Sequence, residues 1–468
     1  MYLIMPVIFV LGIVAIALED KIRINKAATA VLMSILLWMI LMFNGVHILA
    51  EKQNEGFLRF IANSNLSSLP TKDQVLSYLT DRALIFHLGN VSETLFFVMC
   101  SMLIVNIVDK HGGFMAVANY LKTSDKRRML WYMGLSSFFF SALLDNLAAA
   151  IVLIAILRKL VPDATDRMKY ASIIVIAANA GGSWSPIGDV TTLLLWTGGN
   201  IGAAHQITHV FLPALTNLLV PLVIAHFWLF KKGTKLRVES DVSEQDAYVQ
   251  YIPFHSRVTI FVVGFLSLAL VPVFQMTTHL PAFMCVLLGL VFLWIYTDLM
   301  YGRIKTIQDT NKLRISKLFR SVDLPTIFFF LGILMSVAAL ETGGQLTIFA
   351  DFLSNSVKQP SVISFLVGLA SSFTDNVALV AATMGMYPVV DAASAVTPYL
   401  QSFVADGSFW TFLAYCAVTG GSIFIIGSAT GVTVMGLEKI SFMYYFKRFT
   451  PLSILGYVAG AFIFFLWM

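Results

Sequence analysis

The chain has 468 residues, 58% of them hydrophobic and 12% charged, with a mean hydropathy of +0.81. Soluble domains use about 45–50% apolar residues, so this composition excludes a soluble globular protein and points to a membrane protein. Cys100, Cys285 and Cys416 all lie in apolar runs, which offers neither a disulfide framework nor a cysteine metal knot, and the net charge of +5 follows from topology without a nucleic-acid partner.

In chain order, apolar stretches of the about 17–25 residues that cross a bilayer begin at 1–18, 27–50 and 83–108. The first lacks the basic start of a cleavable signal peptide and is read as a span. Between the second and third, the mixed-charge segment 51–82, with Pro70, reads as a pair of amphipathic surface helices on the outer side. Residues 129–157 are apolar at both ends around Asp145-Asn146 and read as a re-entrant hairpin. Spans follow at 170–197 and 207–230, then a hydrophilic cytoplasmic linker at 231–257. Beyond it lie spans at 258–276, 281–297 and 322–340, a second hairpin at 361–390 around Asp375-Asn376, and spans at 410–437 and 450–468. Cytoplasmic loops carry an excess of Lys and Arg. With both termini outside and each hairpin returning to its side of entry, only Lys52, Arg59, Lys72, Arg82 and Lys358 of the 31 basic residues fall outside. Two full spans at either hairpin destroy that asymmetry.

The two halves repeat. Ser141-Ala-Leu-Leu-Asp145-Asn146 matches Ser371-Ser-Phe-Thr-Asp375-Asn376, and Gly181-Gly182-Ser183…Gly188-Asp189-Val-Thr191 matches Gly420-Gly421-Ser422…Gly427-Ser428-Ala-Thr430. Five spans and a hairpin lie on each side of the linker, so the repeats are inverted in the membrane. The expected fold is therefore an all-α polytopic protein of two inverted repeats, 1–230 and 258–468, with interrupted helices at 170–197 and 410–437. Such repeats recur in secondary transporters, which place the substrate near the midplane.

A Gly-Gly-Ser…Gly-Asp interruption inside a span survives only where protein or a water-filled cavity surrounds it. Released carbonyls there suit a cation, while half-helix N-termini suit anions. Side chains choose between them: Asp145, Asp375 and Asp189 put carboxylates at both hairpin tips and at one break. A hard cation such as Na+ takes oxygen ligands, supplied here by Asp145, Asn146, Asp375, Asn376, Thr191, Thr192 and Thr430, with the metal placed at the two Asp-Asn pairs. A carboxylate withdrawn from water resists ionisation, so it can hold a proton instead. An ion and a proton competing for one carboxylate exchange, provided the empty site does not cross. No cofactor is called for.

Ser141…Asp145-Asn146, Asn179-Ala-Gly-Gly-Ser-Trp-Ser-Pro-Ile-Gly-Asp189-Val-Thr-Thr192 and Thr374-Asp375-Asn376 resemble the NhaD-type sodium/proton antiporters of the ion transporter superfamily, over nearly the whole chain. The resemblance implies a bacterial inner-membrane antiporter for Na+ or Li+ against H+, a homodimer with scaffold helices at the dimer contact, and a mobile domain holding both hairpins and broken helices. It also implies functional roles for Glu93, Asp145, Asn146, Asn179, Asp189, Thr191, Thr192, Asp323, Ser371, Asp375 and Asn376. Related dicarboxylate carriers have Ser-Asn-Thr at the hairpin tips, where this chain has Asp-Asn.

The nearest rival is a cation-coupled carrier of an anion (dicarboxylate, sulfate or arsenite) on the same fold. Against it stand the acidic tips and the lack of Lys or Arg in the core segments. An intramembrane aspartyl protease using Asp145 and Asp375 lacks the Gly-x-Gly-Asp setting, so no enzyme is expected. His205 and His209, at i and i+4, have no acidic or thiol neighbour in sequence and are not read as metal ligands.

Overall fold

The computed structural model describes residues 4–17, 19–51, 54–62, 64, 69–114, 121–230, 233–236, 252–303, 313–373 and 376–467. Asp375 and most of the linker 231–257 lie outside the described residues. The described chain is helical, and its helices of seven residues or more run in order as follows. They are α1 Ile4–Ala17, α2 Lys26–Gly45, α3 Glu55–Ala62, α4 Thr71–Lys110, α5 Lys126–Leu144, α6 Asn146–Leu160, α7 Ala164–Ser183, α8 Val190–Thr197, α9 Ala203–Trp228 and α10 Phe254–Ala269. After these come α11 Val271–Thr278, α12 Ala282–Arg303, α13 Leu324–Thr342, α14 Gln345–Val357, α15 Pro360–Ala370, α16 Asn376–Met386, α17 Ser408–Gly420, α18 Ala429–Glu438, α19 Phe442–Arg448 and α20 Thr450–Trp467.

Among the described residues, six helices are long and apolar enough to cross a membrane, or seven if α10 and α11, bent by 48°, form one span. Pro272 at the start of α11 accounts for the bend, because it lacks the amide N–H that would continue the ladder. This is a multi-pass membrane protein. The segment expected as two surface helices differs from that reading in its second part. Pro70 starts a helix that does not stop at the surface but continues, through a π turn at Tyr78–Leu84, into the span to Lys110.

The chain forms two compact units. One comprises Met1–Phe96, Asp323–Ile363 and Val377–Val389. Its centre is α2 packed on α13, brought together at Gly332, where a Cβ would overlap the Ala30 backbone. The Trp38 indole N–H donates to the Met335 carbonyl at 2.9 Å and Asn54 donates to the Thr342 carbonyl at 3.2 Å. The first of these bonds is buried, where a polar group needs a protein partner.

The other unit comprises Phe97–Val322, Ser364–Asn376 and Val390–Met468. Its core is α7, buried from Tyr170 to Ser183, which packs on α5, α6, α17 and α18. Helix α17 is likewise buried from Phe409 to Gly420. A helix wrapped by others tolerates small residues and demands them where backbones meet, which explains the Ala/Gly content of Ala177–Gly182. At the start of α7, burial pushes the Asp166 carboxyl up, but hydrogen bonds and charge from Lys126 and Lys169 outweigh it and hold it below its ordinary value. The stability from this clamp is therefore full at neutral pH and is lost only as pH falls through that depressed value.

Candidate functional site

The first hairpin turns at a single residue. Helix α5 ends at Leu144 and α6 begins at Asn146, with Asp145 between them at φ 68° and ψ 160°. That region is almost confined to glycine. Asp145 is held there because its own carboxylate accepts from the N–H groups of Leu147 (2.7 Å) and Ala148 (3.0 Å), capping α6. The tip thus fixes a carboxylate at the positive end of a helix.

Asp189 occupies the same role at the break after α7. Its carboxylate accepts from the Thr191 N–H at 2.7 Å, capping α8. Both tip asparagines donate to it: Asn146 to one oxygen, and Asn376 at 3.4 and 3.5 Å to the two. Asn146 also donates to the Asn179 amide oxygen at 3.0 Å, and Asn179 donates in turn to the Ser428 hydroxyl at 3.1 Å. Ser428 caps α18 by accepting from the Gly431 N–H at 3.1 Å. One continuous polar chain therefore ties a hairpin tip to both helix breaks. Asp145 and Asp189 line a common cavity of about 10 Å³ with Ser101, Leu193 and Leu268, room for about one water.

Two threonines next to each other do different work. Thr192 donates near the Ser185 and Asp189 carbonyls, 2.9 Å from each, and so shapes the break. Thr191 and its repeat mate Thr430 are fully buried, and their hydroxyls have no hydrogen-bond partner among the described residues. Ser371 donates to the Ala417 carbonyl at 2.8 Å, just as Ser141 donates to Ala178 at 2.6 Å, so both serines fasten hairpin to broken helix. Three of the carbonyls at the two breaks already accept a side-chain donor. Ser183 accepts from Gln206 at 2.9 Å, Ser422 from Tyr445 at 2.7 Å and Ile423 from Thr450 at 2.6 Å.

Of the residues expected from sequence, Asp145, Asn146, Asn179, Asp189, Thr191, Thr192, Ser371, Asn376 and Thr430 fall in one unit. Glu93, half-buried on α4, and Asp323 belong to the other. Asp323 is the N-cap of α13, accepting from the Thr326 hydroxyl at 2.6 Å. Sequence reasoning missed Ser428 and Ser101. Ser428 was legible as the residue aligned with Asp189; nothing in the pattern marks Ser101.

Residues 5–405 match the protein family described as Citrate transporter. The chain is 36% identical to sodium/proton antiporter 1 of Arabidopsis thaliana over 457 residues, covering 97% of this chain and 71% of the relative. Sodium/proton antiporter 2 of the same plant is 34% identical, with 97% of both chains covered. The Na(+)/H(+) antiporter NhaD of Alkalimonas amylolytica is 26% identical over 82% of this chain and 78% of that protein.

Proposed function

We propose exchange of Na+ or Li+ for H+ by alternating access as the function of this chain, which belongs to the citrate-transporter family and is of the NhaD antiporter type. The observation that carries the reading is the Asp189 hub. Two carboxylates, Asp145 and Asp189, line one small cavity, and two uncharged amides, those of Asn146 and Asn376, donate to Asp189. Asp145 and Asp189 each sit at a helix N-terminus that offsets only about half a charge, so the two pairs together stay negative. Such a site favours one small cation or one proton, and not an anion.

In this mechanism Asp145, Asn146, Asp375 and Asn376 bind the ion, with Asp189, Thr191 and Thr430 completing the oxygen set. Asn179, Thr192 and Ser371 hold the set in shape, the ion and the proton compete for the same carboxylates, and Glu93 and Asp323 complete the ion- and proton-binding residues. The inverted repeats 1–230 and 258–468 are supported by matched contacts. Ser141 to Ala178 corresponds to Ser371 to Ala417, and Gly181 against Phe138 corresponds to Gly420 against Gly368. A homodimer carried by the scaffold helices and a bacterial inner membrane complete the proposal, the matched relatives being plant and bacterial.

The test uses everted vesicles with an imposed pH gradient. Added NaCl or LiCl should collapse the gradient, and KCl or sodium-free malate should not. Uptake driven by malate without a cation response would overturn the assignment in favour of an anion carrier. The threonines give a second expectation. Thr191→Val should raise the half-saturating Na+ concentration roughly tenfold with little change in thermal stability, because its hydroxyl bonds no described residue. Thr192→Val should cost about 0.5–1.5 kcal/mol of stability, the net worth of a hydrogen bond, because the Ser185 and Asp189 carbonyls lose its hydroxyl and keep only their backbone donors. Equal stability losses in the two variants would remove the ligand role of Thr191.

A further inference from the structure

Away from the ion site, Glu438 is a charged side chain 2% exposed, at the C-terminal end of α18. Two arginines converge on it: Arg158 of α6, Nε to Oε1 at 2.6 Å, and Arg167 of α7, Nε to Oε2 at 3.0 Å. Each guanidinium has a second duty. Arg158 donates to the Leu437 carbonyl, in the last turn of α18, while Arg167 donates to Val161 (3.1 Å) and Pro162 (2.6 Å), immediately after α6. The carbonyl ends of both helices are therefore held by cations, as their dipoles favour, and the buried carboxylate has a partner on each oxygen.

The other ends of the same two helices carry the ion site. Helix α6 begins at Asn146, capped by Asp145, and α18 begins at Ala429, capped by Ser428, two residues before Thr430. The helices pack on each other and are stiff rods of 15 and 10 residues, about 22 and 15 Å long. At the site end they are tied through Asn146, Asn179 and Ser428.

We propose that Glu438, with Arg158 and Arg167, positions the ion site from the far end of these rods: the ion cluster sets the register of α18 against α6 and thereby the cation affinity of the site. This rests on the exchange function proposed above. Neither arginine nor Glu438 touches the ion; a slip of one rod along the other at the charged end moves Ser428 and Thr430 relative to Asp145 by the same amount. Asparagine and serine hydrogen bonds alone resist such a slip weakly compared with charge-assisted forks.

The experiment measures cation-dependent collapse of the pH gradient against cation concentration, normalised to protein in the membrane. Glu438→Gln should raise the half-saturating concentration roughly tenfold while the maximal rate stays within about twofold, and Glu438→Asp should recover most of the affinity. The shift in Arg158→Gln combined with Glu438→Gln should fall well short of the sum of the two single shifts, because the two share one contact and only the Arg158 bond to Leu437 is separate. Unchanged half-saturation in Glu438→Gln, or additive effects in the double variant, overturns the proposal. If Glu438→Gln does not accumulate, Arg158→Lys keeps the charge and removes the fork; a raised half-saturation supports the proposal and a wild-type value overturns it. Wild type and Asp145→Asn are run alongside. Loss of the cation response in wild type would defeat the exchange function itself, whereas the positioning role is read only from the shift between wild type and the charge variants.

Discussion

Asp145→Asn is expected to lower exchange by at least about 100-fold, close to 2.7 kcal/mol, while leaving membrane yield and thermal stability near wild type. The separation of the two effects follows from the geometry of the hairpin tip. The carboxylate oxygen of Asp145 caps α6 through Leu147 and Ala148, and an asparagine amide oxygen does the same, Asn and Asp being about equal as N-caps. Asparagine meets the same strain at φ 68° as the aspartate it replaces, and the same two cap bonds hold it there. What vanishes is the charge beside Asp189 and the ability to trade a proton for a cation. Asp145→Ala, by contrast, loses the cap as well and should cost about 1 kcal/mol of stability in addition to activity. Gradient collapse and melting of the purified proteins, measured together, check both statements. Wild-type exchange by Asp145→Asn would remove Asp145 from the ion site.

The hairpin tip and helix breaks were legible in sequence because both carry residue types that lipid does not tolerate without a purpose, and because they occur twice. The Asp189 hub was half legible. The sequence placed Asp189 at a break, but not that Asn146 and Asn376 would both turn toward it, since position 428, its mate, is a serine. The same serine hid its own part: a Ser before a helix reads as an ordinary cap, and Ser428 is one, while also accepting from Asn179. The charged cluster was not legible at all. Glu438 lies 271 to 280 residues from its partners, and each of the three stands at a helix end, where a charge in sequence reads as solvated. Helix α4 extends beyond its apolar stretch, and α5 begins slightly before its own, for one reason. Charges at Lys126–Arg128 and Asp81–Arg82 mark the edge of an apolar stretch but do not stop a helix, and no proline lies between Thr71 and Lys110 to do so.

Gly420→Ala is expected to do more damage to assembly than any single polar change, with Gly181→Ala doing the same in the first half. A Cβ on Gly420 would overlap the Gly368 carbonyl oxygen, and one on Gly181 would overlap that of Phe138. Both neighbours are backbone, so no side chain can rotate away. The hairpin helix has to withdraw from the broken helix, and with it goes the serine that fastens them, Ser371 to Ala417 at 2.8 Å or Ser141 to Ala178 at 2.6 Å. Overpacking costs about 1–3 kcal/mol and the lost serine hydrogen bond about 0.5–1.5 more. The melting temperature should therefore drop by roughly 5 °C or more, with exchange abolished in the protein that survives. Gly436→Ala is the matched control, on α18 beside the same break. Nothing lies within 4 Å of the point a Cβ would take there, and alanine in a helix is favoured over glycine by about 1 kcal/mol, so its stability should hold or rise. If Gly420→Ala melts as high as Gly436→Ala, hairpin and broken helix do not meet backbone to backbone. The tip would then be free to move independently of the break, and the site could not be a single rigid cage closed around one ion.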